Sequence, residues 1–292
     1  RLGKGKVWII ATAQQTLTED DQSAALNAAQ LFKLKDRFPI QIELPSTDIN
    51  EIVQKRLLQK STSGREKLEN LFDAHGQQFI QNIKIDSDFF DSKIDKTIFC
   101  DFYPFIPSQF QILLNLLSAL AKSTGGIGLR SAIKIIQEIL NGRDRSSLAM
   151  SEIEIGWVSS IVTFYNILEG DINIGFKDKK EIVDKVIIEY PNDETAIDIA
   201  KCLAILNIIT GIKKNRANIA ALMHSSIKGN NQQKEISKSI DRMIANPNLQ
   251  ITEENDEIVL LSSKILGIKR EISQTATKTQ DKVRTFNLCL RE

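Results

Sequence analysis

Lys234, Lys238 and Arg242 stand four residues apart, a spacing that puts three cations on one face of a helix while Ile236, Ile240, Met243 and Ile244 take the other. Lys213, Lys214 and Arg216 cluster just before the preceding helix. The chemistry these six residues offer is contact with nucleic-acid phosphate, from a helix that can enter a groove and from the approach to its neighbour. Glu235 and Asp241 dilute the stripe, and a basic face on an amphipathic helix is often simply solvated, so both readings stand at this point.

Other chemistries find fewer residues. Hydrolysis of a nucleoside triphosphate needs a cradle of backbone amides, a lysine on the phosphates and acids on magnesium. No GxxxxGKS/T run occurs, no apolar strand ends in paired acids, and Gly3-Lys4-Gly5-Lys6 and the stretch 211–214 lack the spacing of a phosphate loop. The chain alone is expected to be catalytically inert, with no cofactor of its own. His75 and His224 are the only histidines, and Cys100, Cys202 and Cys289 lie far apart, which leaves no metal-ligand spacing and no disulfide framework. Phe99, Phe102, Tyr103, Phe105 and Phe110 could stack on bases, but Pro104, Pro107 and the apolar helix behind them point to a core role.

With 42% hydrophobic and 26% charged residues over 292, the composition is that of a globular protein with material for a sizeable core. The net charge of +1 leaves any nucleic-acid binding to local patches. No run approaches a membrane span, the N-terminus has no signal-peptide pattern, and the cysteines suit a reducing compartment, so a cytoplasmic location is expected. Because the chain opens on Arg1, at what reads as a strand, it is expected to be a piece of a longer protein.

The elements that must carry these residues change character along the chain. Val7-Trp8-Ile9-Ile10 running into Thr12 and Gln14 reads as a buried strand with a polar tip, 21–35 as a helix, and 38–44 as a second strand directly after Arg37. Helices follow from Ile49, over 65–80, over 109–121 and, after Gly125, Gly126 and Gly128, over 129–140. Residues 146–190 read as one or two more helices. From 193 the pattern is helix to 210, helix 215–224, helix 232–245, then alternating segments 249–252 and 257–261, which together describe a winged helix.

Strand, polar tip, helix, Asp-Arg-Phe and strand over 7–44 resemble the end of an AAA+ ATPase core. A more specific resemblance rests on LKDRFPIQIELPSTDINEIVQKRLL (34–58), FCDFYPFIPSQFQILLNLL (99–117), GGIGLRSAIKIIQEIL (125–140) and TAIDIAKCLAILNIITGIKKNRANIAALM (195–223), which are similar, in that order, to the BrxC/PglY family of BREX phage-defence ATPases. The resemblance implies a mostly α chain with a small α/β remnant: 1–45 the end of an AAA+ core, 46–145 a helical lid, 146–190 a connector, 191–270 a winged helix and 271–292 a tail.

It implies Arg37 as an arginine finger, where the alternative is pairing with Asp36 or capping the helix. It implies Thr12, or Gln14, as sensor 1, against a polar residue merely leaving a strand, and Arg130 as sensor 2, against a solvated or Glu138-facing arginine. ATP and magnesium would serve the full-length protein. Its expected partners are double-stranded DNA, a methyltransferase and other BREX components, and further copies of itself. A second reading, from the near-neutral charge, is a non-catalytic assembly module that docks partner proteins.

Overall fold

A computed structural model describes residues 53–87, 93–124, 129–142, 149–249 and 251–261, with the side chains of 129–131 outside the description. The chain divides into two compact units, 1–56 and 57–292. Thr12, Gln14 and Arg37, with the strands and helix around them, lie outside the described residues.

The described part is mostly helical with one two-stranded sheet, as expected. Helix α1 (Thr62–Asn82) starts at Ser61, whose hydroxyl accepts from the Gly64 amide, and runs three residues earlier and two later than the apolar spacing alone suggests. Its buried Leu68 and Phe79 join Phe99, Cys100, Ile106 and Val158 in one apolar cluster. Phe99 and Cys100 sit on α2 (Lys96–Phe102), capped by the Asp95 carboxylate on the Ile98 amide at 2.7 Å. The sequence reading placed no helix there, because seven residues give a periodicity too short to register. Phe99, Phe105 and Phe110 are fully buried, so these aromatics are core and not a base-stacking surface.

Helix α3 (Pro107–Thr124) opens on a proline, whose missing N–H costs nothing in the first turn, and buries Phe110, Leu113, Leu116, Leu117 and Leu120. Helix α4 (Leu129–Asn141) packs on it through Ala132, Ile135, Ile136 and Ile139, the i, i+3, i+4, i+7 spacing of a single face. Two helices, α5 (Ile161–Gly175) and α6 (Lys177–Glu189), fill the connector.

Helix α7 (Glu194–Leu206) is the hub of the C-terminal half, packing on α5, α6, α8 (Arg216–Met223) and α9 (Gln233–Ala245). Its last five residues, Cys202 to Leu206, are all buried, the composition of a helix enclosed on every side. It stops four residues before the expected 210, at the C-cap Asn207, whose side-chain amide and backbone N–H both donate to Leu203 O, at 2.7 and 3.0 Å. Strands β1 (Ile251–Glu254) and β2 (Glu257–Leu260) pair antiparallel, Ile251 opposite Leu260 and Glu254 opposite Glu257. Their turn is only Asn255-Asp256, both at positive φ, so Glu253 and Glu254 belong to the strand and not to a loop.

Candidate functional site

The six cations singled out from sequence lie on α8, α9 and the segment before α8, but their side chains do not form one open stripe. Arg216, the first residue of α8, spans three elements. Its Nε and Nη2 reach the two carboxylate oxygens of Glu253 on β1 at 3.2 and 2.7 Å, Nη2 also meets Asp241 on α9 at 2.7 Å, and Nη1 donates to Ser237 O at 3.0 Å. The guanidinium fork suits this bidentate geometry. These hydrogen bonds raise the Arg216 pKa and hold the Glu253 carboxyl below the ordinary glutamate value.

Lys214 lies 3.9 Å from Glu257, and its carbonyl accepts from the Ile258 amide at 2.9 Å, so the approach to α8 runs beside β2. Lys213 pairs with Asp86, beyond the end of α1, at 2.8 Å. Arg242 meets Asp193, the N-cap of α7, at 2.7 Å and Ser239 Oγ at 3.3 Å. Lys234 and Lys238 are different: both are exposed, one turn apart, with no ion pair among the described residues. Ile236, Ile240 and Met243 are buried, which confirms the two faces of α9, and Ile244 is half-buried at their edge.

Arg130 occupies the second position of α4, opening the helix as expected, and its side chain is outside the description. Glu138, its alternative partner, lies 3.7 Å from Lys134.

Two features escaped the sequence reading. Asn218, 1% exposed, accepts from the Asp86 amide at 2.7 Å and donates to the Asp86 and Lys213 carbonyls at 2.9 and 2.8 Å, fastening α8 to the chain that follows α1. Nothing in an isolated asparagine signals a bridge over 132 residues. The second is the acidity of the hairpin, which did have a signal: residues 251–260 carry Glu253, Glu254, Asp256 and Glu257 and no base. From 193 to 261 there are eight lysines and arginines against nine aspartates and glutamates, so the C-terminal helices and hairpin have no cationic excess.

Residues 50–178 match a family described as the second domain of the BREX System ATPase PglY protein. The matched span runs through α1 to α5 and ends two residues into α6, ahead of the cationic helices. No solved structure matches the chain.

Proposed function

We propose that this chain, whose residues 50–178 match the second domain of the BREX System ATPase PglY protein, is the lid and winged-helix portion of a PglY-like ATPase of BREX phage defence, with α7 to α9 and the hairpin docking other BREX components. One observation carries this reading over direct DNA binding. Four of the six candidate cations, Lys213, Lys214, Arg216 and Arg242, already face carboxylates of the same chain, and the hairpin that would flank a duplex is acidic. A phosphate would have to displace those carboxylates, while the acids would repel it.

In the longer ATPase, Arg37 would act as the finger, Thr12 as sensor 1 and Arg130 as sensor 2, so that nucleotide state reaches the docking helices through the lid. In this reading the chain alone does not supply an ATP site. The sequence has no phosphate loop, and no group of three or more histidines, cysteines or acids among the described residues could hold a metal ion. ATP, magnesium and self-assembly therefore belong to the longer protein in this proposal. No single described helix is long and apolar enough to cross a membrane.

A second reading has its own support: Lys234 and Lys238 stay exposed on α9, the last of the three helices α7 to α9, where duplex contact would fall. One experiment separates the two. Duplex affinity is measured between about 50 and about 200 mM salt, alongside capture of purified BREX components by the same protein. The docking reading expects capture that survives the salt series and a shallow duplex dependence. A log–log slope near −2, lost when Lys234 and Lys238 are both replaced by Gln, would overturn it in favour of DNA.

A further inference from the structure

A polar pocket of about 170 Å³ opens between the end of α1, helix α8 and the start of α9. Gln81, Asn82, Lys84, His224, Asn231 and Gln233 line it, and no carboxylate does. Lys84 is exposed and has no ion pair among the described residues. Such a lining, amides with one lysine, offers donors and attracts negative charge.

Two independent observations point to a ligand. His224 is only 5% exposed, its ring packs 5.9 Å from that of Phe79, and its Nε2 has no hydrogen-bond partner, while the ring is bonded to the Ser226 backbone. A buried ring nitrogen left unpaired is costly, and one on the wall of a pocket can be satisfied by a group entering from solvent. Beside it, thirteen-residue α9 begins at Gln232, which also lines the pocket; Asn231 Oδ1 accepts from the Gln233 amide at 2.8 Å, and Gln232 itself caps none of the first-turn amides at the same opening.

We propose that this pocket binds a phosphate group, held by Lys84, the lining amides and the start of α9, with His224 Nε2 donating to it once the ring takes up a proton. The proposal does not depend on the docking reading. Burial holds His224 below its ordinary 6.5, so the free ring is neutral at neutral pH. A phosphate against Nε2 favours the charged ring, so binding takes up a proton and strengthens as pH falls. The charged groups on the surrounding elements are Lys84 and Asp86 after α1, Lys228 after α8, and Lys234 and Glu235 in the first turn of α9. Asp86 is engaged by Lys213, and Lys228 by Glu154. Lys84 and Lys234 add positive charge that a phosphate would meet.

The phosphate could be free or part of a nucleic-acid backbone, and two titrations of the 292-residue chain distinguish these sources. In the first, inorganic phosphate is added from about pH 6 to about pH 8 while the imidazole resonances of His224 and of half-buried His75 are followed. The expected result is a saturable shift at His224 alone, tighter at the lower pH. Lys84→Gln, at an exposed position, should weaken it roughly tenfold with the fold unchanged, and His224→Gln should remove the tightening at the lower pH, leaving only the dependence set by the second ionisation of phosphate itself. In the second, a short duplex is added to the phosphate-loaded protein. Displacement of phosphate assigns the site to a nucleic-acid backbone, and no competition assigns it to a free phosphoryl group. A response that does not saturate, that His75 shares, or that Lys84→Gln leaves intact overturns the proposal.

Discussion

Arg216 grips both carboxylate oxygens of Glu253, at 3.2 and 2.7 Å, and thereby ties the first residue of α8 to strand β1. Asp241 at 2.7 Å adds α9 to the same guanidinium. The arginine that sequence offers as a phosphate contact is thus the strap that sets hairpin against helices. In this position it fixes the shape of the surface proposed to dock.

Arg216→Ala should therefore cost about 1 to 2 kcal/mol, more than an exposed pair because three elements lose their common partner, yet limited because the group is partly solvated. Arg216→Lys should recover only part, since an ammonium cannot span both Glu253 oxygens. The sign with pH follows from Glu253, whose folded value lies below the ordinary 4.5. The contribution is complete above that ordinary value and is lost as pH falls through the folded one. Urea midpoints measured down the acid limb should show this loss in the native chain and not in Glu253→Gln. Equal acid limbs would remove the pair from the stability of the unit.

Lys234→Gln with Lys238→Gln should leave stability within about 0.5 kcal/mol, because both side chains are exposed and make no ion pair among the described residues. Arg242→Ala should cost more, about 0.5 to 1 kcal/mol, by freeing Asp193 at the start of α7. Any residual duplex binding should respond in the opposite order, the lysine pair flattening the salt slope by roughly 0.9 per contact and Arg242 hardly changing it. Thermal denaturation and a salt titration on the same three proteins check both halves. A flat slope change in the lysine variant would show that this face meets no phosphate.

How far sequence reached can be seen in α9 and Arg216 together. The apolar period Ile236, Ile240, Met243 fixed which face is buried, since packing is local to the helix and repeats every turn. The fate of Arg216 depended on Glu253, 37 residues on, and on a turn at Asn255-Asp256 tighter than the acidic run suggests. Charge partners across elements leave no period to read. The pocket was less legible still, because Gln81, His224 and Gln233 become neighbours only when α1, α8 and α9 converge. Helix α7 shows the intermediate case: its apolar run was plain, while Ile208 and Ile209 continue that run past Leu206 and hide where the helix ends.

Phe79→Ala should be among the most damaging single changes in the described core. The ring is fully buried, meets Phe99 edge-on at 5.8 Å and backs the His224 ring at 5.9 Å. Removing it loses the transfer energy of the ring and leaves a cavity, together about 3 to 5 kcal/mol. Equilibrium unfolding should register that loss, and Phe79→Leu should restore a good part of it. A cost below about 1 kcal/mol would mean that this cluster repacks freely.

The last expectation concerns His224 in phosphate-free buffer. Desolvation lowers its folded pKa from the ordinary 6.5, outweighing the hydrogen bond to Ser226 that favours the charged ring. The unfolded chain then binds more protons than the folded one just below 6.5, so stability rises with pH there. It should be complete above the ordinary value, fall as pH drops through it, and level off once the lower folded value is passed. Urea unfolding at closely spaced pH values reads this directly, with His224→Gln as the variant in which the step disappears and Lys84→Gln as one in which it persists. If native protein and His224→Gln lose stability in parallel between neutral and mildly acid pH, the ring titrates alike in both states, and the buried, unpaired nitrogen carries no proton linkage.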